Sequence, residues 1–147
     1  PIDVSTENLG CLTECLFFNA NRFARAMTKL AEQAFVDINL SPNYAYLLIL
    51  VAQYPNITKK KLCEKLDIAP STSTRFINKL EDAALVTRTS QGKETHIHLT
   101  DSGYALQETI EAGFDRLSKA YQEKIGEKES ALLAKMLYES SEILKEE

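Results

Sequence analysis

From Pro70 to Ala83 the chain reads Pro-Ser-Thr-Ser-Thr-Arg-Phe-Ile-Asn-Lys-Leu-Glu-Asp-Ala. At a helical period, Ser73, Ile77, Leu80 and Ala84 share one face, with Phe76 at its edge. Ser71, Thr72, Arg75, Asn78 and Lys79 share the other. An outward face of hydroxyls, an amide, a guanidinium and an ammonium has the chemistry for reading DNA. Arg75 can contact guanine with two hydrogen bonds and Asn78 can do the same with adenine. Ser71, Thr72 and Thr74, near the amino end, can reach bases or phosphates, helped by the helix N-terminus. Lys79, and upstream Lys59, Lys60 and Lys61, suit phosphates. The competing reading is an ordinary solvated helix face.

The flanking residues supply what such a helix needs to be positioned. Thr58 can cap a first helix, Thr58 to Leu66, in which Leu62 and Leu66 point inward one turn apart. Asp67-Ile68-Ala69 makes the turn, and Pro70 suits a first helical position because its fixed φ and missing N–H cost nothing there. Two extended runs follow, Leu85 to Thr89 and Thr95 to Leu99, around Ser90-Gln91-Gly92-Lys93-Glu94, which reads as a hairpin loop. Two helices, a tight turn and a hairpin form the layout of a winged helix-turn-helix.

The stretch from Leu62 to Arg88, followed by His98-Leu99-Thr100-Asp101-Ser102-Gly103, resembles the MarR family of bacterial transcriptional regulators. The flanking helices match the family plan as well. The resemblance implies a mainly α fold with a small β-hairpin wing, a DNA-binding lobe at 40–99, and dimerisation helices at 5–36 and 104–145. It implies a homodimer on a pseudo-palindromic site in double-stranded DNA, acting by default as a repressor. It also implies a small ligand, often aromatic, between the dimer helices and the DNA-binding lobes. Phe17, Phe18, Arg22, Tyr44 and Tyr46 are candidates for it, although the same aromatics would serve as core. Arg88 and Lys93 join the expected DNA contacts. Where the family carries Asp-x-Arg in its wing this chain has Ser90-Gln91-Gly92-Lys93, so Lys93 is the cation near the tip.

At 147 residues the chain is long enough for one compact subunit with a real core. Three cysteines fit a reducing compartment better than a disulfide scaffold. No apolar run reaches the length of a membrane span, and Pro1-Ile2-Asp3-Val4-Ser5 lacks a signal-peptide pattern. A cytoplasmic protein without membrane contact is expected. The net charge of −4 looks wrong for a DNA binder. Its distribution does not: residues 58–98 hold eight basic and five acidic residues, against nine and sixteen elsewhere.

Ser5 to Val36 reads as one long helix with two adjacent apolar stripes, Leu9, Leu12, Leu16 and Phe23 along one, Cys11, Cys15 and Phe18 along the other. A helix apolar around so much of its circumference must be covered on more than one side, which a partner subunit would do. Asp37 to Leu40 breaks it, Ser41 and Pro42 cap and start a helix to Gln53, and Tyr54 to Ile57 is a loop. After Thr100, an apolar stripe of Leu106, Ile110, Phe114, Leu117 and Tyr121 predicts one helix as far as Ile125-Gly126, and a last helix covers Ser130 to Lys145, with Glu146 and Glu147 frayed.

Cys11 and Cys15 read as small buried hydrophobes at a dimer interface. The alternative is a thiol-based redox switch, because peroxide-sensing members of the family carry a cysteine on the first helix; the tyrosines expected beside it are replaced by Phe18 and Asn19. Cys63 reads as packing. His96 and His98 share one strand face and make half a metal site, so exposed wing histidines with a weak pH-dependent phosphate contact are the expectation. No phosphate loop, nucleophile motif or metal-ligand spacing is present, so neither an enzyme nor a cofactor or metal site is expected. A winged helix that binds proteins instead of DNA remains a second alternative.

Overall fold

The computed structural model describes residues 10–145. A 3-10 turn, Gly10–Glu14, precedes helix α1 (Leu16–Ala34). Then come α2 (Pro42–Gln53), β1 (Ile57–Thr58), α3 (Lys59–Leu66), α4 (Pro70–Asp82), β2 (Val86–Gln91), β3 (Glu94–Leu99), α5 (Asp101–Ala105), α6 (Gln107–Ile125) and α7 (Glu127–Lys145). The chain forms two compact units, one spanning Ala34–Ser118 and the other comprising the segments before and after it. Among the described residues no helix is long and apolar enough to cross a membrane.

In the 34–118 unit, local chemistry sets the element starts. The Ser41 hydroxyl accepts from the Asn43 amide at 3.3 Å and Pro42 opens α2. The Thr58 hydroxyl accepts from the Lys61 amide at 3.1 Å and opens α3. Asp67 turns the chain in the left-handed region, φ 55°, and the Ile68 amide closes back on the Cys63 carbonyl. The helix α2 is nearly all apolar because it is wrapped: Ala45, Leu47, Leu48 and Val51 are sealed from solvent, and it packs on α3 and β3. Leu62, Ile77, Leu80, Val86, Ile97 and Ile110 complete the core. Phe35 meets Phe114 edge-to-face, with ring centroids 4.9 Å apart.

Helix α4 stops at Asp82, so Ala84 does not join its buried face as the helical period suggested. Ala84 is exposed and left-handed, φ 61°, where the Leu85 amide reaches back to the Leu80 carbonyl at 2.9 Å. The Thr100 hydroxyl donates to the Ala84 carbonyl at 2.7 Å and accepts from the Gly103 amide at 3.1 Å, tying this corner to α5. Gly103 sits so close that a Cβ there would lie 2.4 Å from the Leu85 carbonyl oxygen.

The sheet has a strand that the sequence reading took as loop: β1 pairs with β3, Ile57 opposite Ile97 and Thr58 opposite His96, in the order β1-β3-β2, all antiparallel. The hairpin turn is only Gly92-Lys93, because pairing continues to Gln91 and Glu94. Positive φ occurs there at Gly92 alone, the pattern of a type II′ turn. His96 is not an exposed wing residue. It is 8% exposed, its Nδ1 donates to the Asn56 carbonyl at 2.8 Å, and its Nε2 lies 3.3 Å from the Glu94 carboxylate. His98 shares a hydrogen bond with the Thr89 hydroxyl at 3.0 Å.

In the other unit, the expected single helix from Ser5 to Val36 is divided. Ser5 to Leu9 lie outside the described residues. Gly10 has φ +56°, the 3-10 turn ends at Glu14, and the Asn19 side chain donates to the Thr13 carbonyl at 2.8 Å, bracing the corner at Cys15. The last helix begins at Glu127, earlier than Ser130, because Gly126 at φ +112° already redirects the chain. The helix expected from Thr100 to Ile125 is broken at Leu106, within the 34–118 unit, into α5 and α6. Glu146 and Glu147 lie outside the described residues.

Replacing Ala84 by Gly removes a left-handed Ala and raises stability by about 0.5–1 kcal/mol in urea unfolding. Gly103→Ala loses about 1–3 kcal/mol in the same measurement, because backbone must move to admit the methyl group. His96→Ala, which leaves the Asn56 carbonyl without its donor, costs about 1–3 kcal/mol. An unchanged urea midpoint for His96→Ala would show that this hydrogen bond does not hold the sheet.

Candidate nucleic-acid interface

Helix α4 has two faces of opposite character. Ser73, Ile77 and Leu80 are fully buried, against α3 and β2. Burying Ile77 and Leu80 stabilises this placement by about 1.5–3 kcal/mol each. Ser71, Arg75, Asn78 and Lys79 are exposed and Thr72 is half-buried, so the residues expected to read DNA stand together on the solvent side. The N-cap, Ala69, offers no side-chain acceptor and the first turn has no acidic residue. The first amides of α4 are thus left to water or to an anion.

Thr74 differs from its neighbours. Its hydroxyl donates to the Pro70 carbonyl at 3.0 Å and receives the Lys59 ammonium. Lys59 is therefore anchored to α4, linking the start of one helix to the first turn of the next. Lys59, Lys60, Lys61 and Lys93 all line one cleft of about 910 Å³ between α3 and the hairpin tip, together with Thr58, Cys63, Ile68 and Pro70. Glu64, Asp67 and Glu94 line it too. Lys93 from the hairpin tip is brought there beside the three consecutive lysines of α3.

Arg88 sits at the base of the hairpin. Its guanidinium makes a two-pronged contact with Glu81, Nη2 to Oε1 at 2.7 Å and Nε to Oε2 at 3.4 Å. The pair is about one-third exposed, so it contributes under about 1 kcal/mol to stability. It links β2 to the last turns of α4.

How the α4 cations are held is set by tertiary packing and has no local signal in the sequence. Tyr44 of α2 packs on Phe76 with ring centroids 4.5 Å apart. The Lys79 ammonium lies 5.1 Å from the Tyr44 ring centre, and the Arg75 guanidinium carbon 5.5 Å from that of Phe76. Both are within cation–π reach. Tyr46 stacks on Phe114 at 5.0 Å. Both tyrosines considered for a ligand thus have ring partners inside the 34–118 unit. Phe17 and Arg22 are exposed and Phe18 is half-buried on α1.

Cys11 and Cys15 are exposed, and Cys63 is half-buried. Cys15 Sγ lies 3.5 Å from the Phe18 amide. Among the described residues no three His, Cys, Asp or Glu side chains cluster as a metal site.

Residues 40–92, from the start of α2 to the hairpin turn, match the model of the MarR family. No curated protein sequence matches. Solved structures share the fold at low identity. The transcriptional repressor CouR bound to a 23-mer DNA duplex is 19% identical, with a TM-score of 0.83 over 95% of this chain and 99% of that one. PcaV of Streptomyces coelicolor, in complex with its natural ligand, is 16% identical, with a TM-score of 0.81 over 99% and 100%. MepR of S. aureus, in a complex with DNA, is 18% identical, with a TM-score of 0.77 over 89% and 98%. The MarR-family match is thus seated on the helix-turn-helix, and the winged-helix fold of these structures is shared along nearly the whole length.

Proposed function

We propose that this protein is a sequence-specific DNA-binding transcriptional regulator, a homodimer that represses by covering a promoter and is released by a small ligand. The observation that carries this is the two-faced α4. Its inner face is sealed into the core while Ser71, Arg75, Asn78 and Lys79 face solvent, which is how a recognition helix is presented to a major groove. CouR and MepR have this fold and are solved with DNA. In this reading the 40–99 lobe binds DNA, with Lys60, Lys61 and Lys93 on phosphates.

Dimerisation through the 5–36 and 104–145 helices is supported by the apolar surface they leave open. Leu16 and Phe17 are 75% and 80% exposed, and Leu132, Met136, Tyr138, Ile143 and Leu144 on α7 lie between 57% and 80%. Apolar exposure on this scale marks an interaction surface. Ligand release is supported by CouR bound to p-coumaroyl-CoA and by PcaV with its ligand. A ligand that prefers a lobe spacing mismatched to DNA lowers affinity by shifting that equilibrium.

A second reading, a thiol switch on the same scaffold, draws on the exposure of Cys11 and Cys15. It requires peroxide to weaken DNA binding in the wild type and Cys15→Ser to abolish that response; insensitivity of the wild type removes it.

Selection of duplexes from a random pool, near physiological salt, will enrich a two-fold symmetric site with half-sites roughly 10 base pairs apart. Arg75→Ala will then weaken binding about 10–100-fold and relax one position of the site. Lys60→Ala will weaken all sequences alike and lower the salt slope by about 1. A monomer in sedimentation, or no enrichment by the reduced, ligand-free dimer, would sink the proposal.

A further inference from the structure

Arg75 and Lys79 must keep their charge and their N–H donors available if they are to meet DNA, yet a long free side chain loses considerable rotamer entropy on binding. A carboxylate neighbour would hold them and cancel that charge at the same time. Among the described residues neither Arg75 nor Lys79 is in an ion pair. What lies beneath them is aromatic. The Tyr44 ring, on a different helix, is 5.1 Å from the Lys79 ammonium, and it packs at 4.5 Å on Phe76, whose own ring is 5.5 Å from the Arg75 guanidinium. A ring face attracts a cation through its quadrupole without neutralising it. Tyr44 is half-buried one turn into α2, where Ser41 caps the helix and the Tyr44 amide bonds to the Ser41 carbonyl at 3.0 Å. Its backbone is therefore held in the first turn of a capped helix.

We propose that Tyr44, which lies outside the helix-turn-helix, is a specificity-determining positioning residue: with Phe76 it forms an aromatic platform that pre-orients Lys79 and Arg75 for DNA. This rests on the DNA-binding reading and adds to it a residue that touches no base. Lysine stems on the surface are ordinarily free to sample many rotamers. Over a ring that is braced by a second ring, the stem is held while its ammonium still faces outward.

The test compares Tyr44→Leu, which keeps apolar volume, with Tyr44→Phe, which keeps the ring. Affinities are measured for the selected site, for its single-base variants and for unrelated duplex. Tyr44→Leu is expected to weaken binding to the selected site about three- to tenfold, through Lys79 on its phosphates and, by way of Phe76, Arg75 on its bases, and to narrow the discrimination between that site and its variants. Tyr44→Phe is expected to match wild type. A Leu variant that discriminates as well as wild type, or a Phe variant as defective as Leu, overturns the proposal. Without DNA, the Lys79 ε-methylene proton resonance should be shifted upfield by the ring in wild type and Tyr44→Phe, and should lose that shift in Tyr44→Leu. Absence of the shift in wild type overturns the platform even if no duplex is bound, which separates its failure from failure of the DNA-binding reading. Should Tyr44→Leu prove unfolded, Phe76→Leu carries the same comparison for Arg75.

Discussion

The lobe that carries the candidate interface depends on the burial of one narrow stripe, Ser73, Ile77 and Leu80, on the inner face of α4. These side chains have no exposure at all. Because they are sealed against α3 and β2, α4 can neither rotate about its axis nor slide without opening a void in a close-packed interior. That constraint turns the sequence order Ser71, Arg75, Asn78, Lys79 into a fixed array of donors on the opposite face. Recognition by a rigid helix needs this, since the entropy of ordering it has been met by folding and not by binding.

The surrounding elements transmit that rigidity. The capped start of α3 and the left-handed Asp67 set the angle at which α4 leaves the turn. Lys59 reaches across to Thr74, and Arg88 reaches back from the hairpin to Glu81. The two-residue strand β1 turns a bare hairpin into a three-stranded sheet, held from below by His96 and the Asn56 carbonyl. A hairpin alone is marginal in water; with a third strand and core residues Ile57 and Ile97 beneath it, the wing has a base.

Electrostatics in this protein are a matter of placement. A chain of net charge −4 holds four lysines around one cleft and two cations on an aromatic pair. Arg88, by contrast, is held by a carboxylate. The neighbour, a ring or a carboxylate, decides whether a cation's charge is offset within the protein.

The parts legible in the sequence were those governed by neighbours three or four residues apart. Thr58, Ser41-Pro42 and Pro70 marked where helices begin, because caps act on amides within one turn. The period of Ser73, Ile77 and Leu80 marked the buried face of α4, and with it the outward array. Tertiary structure alone decided the rest. Asn56 and His96 are 40 residues apart, and no local pattern announces a histidine sealed under a strand. Tyr44 looked equally suited to a ligand or a core until α2 packed beside α4 and placed its ring under Lys79. The helix period ran on to Ala84, but the chain had to turn toward β2 and took a left-handed residue there. The sequence could set each helix and its faces, since those follow from local hydrogen bonds and burial periodicity. Which side chain from elsewhere would meet each face followed only from closing the core, when residues far apart in the chain compete for the same space.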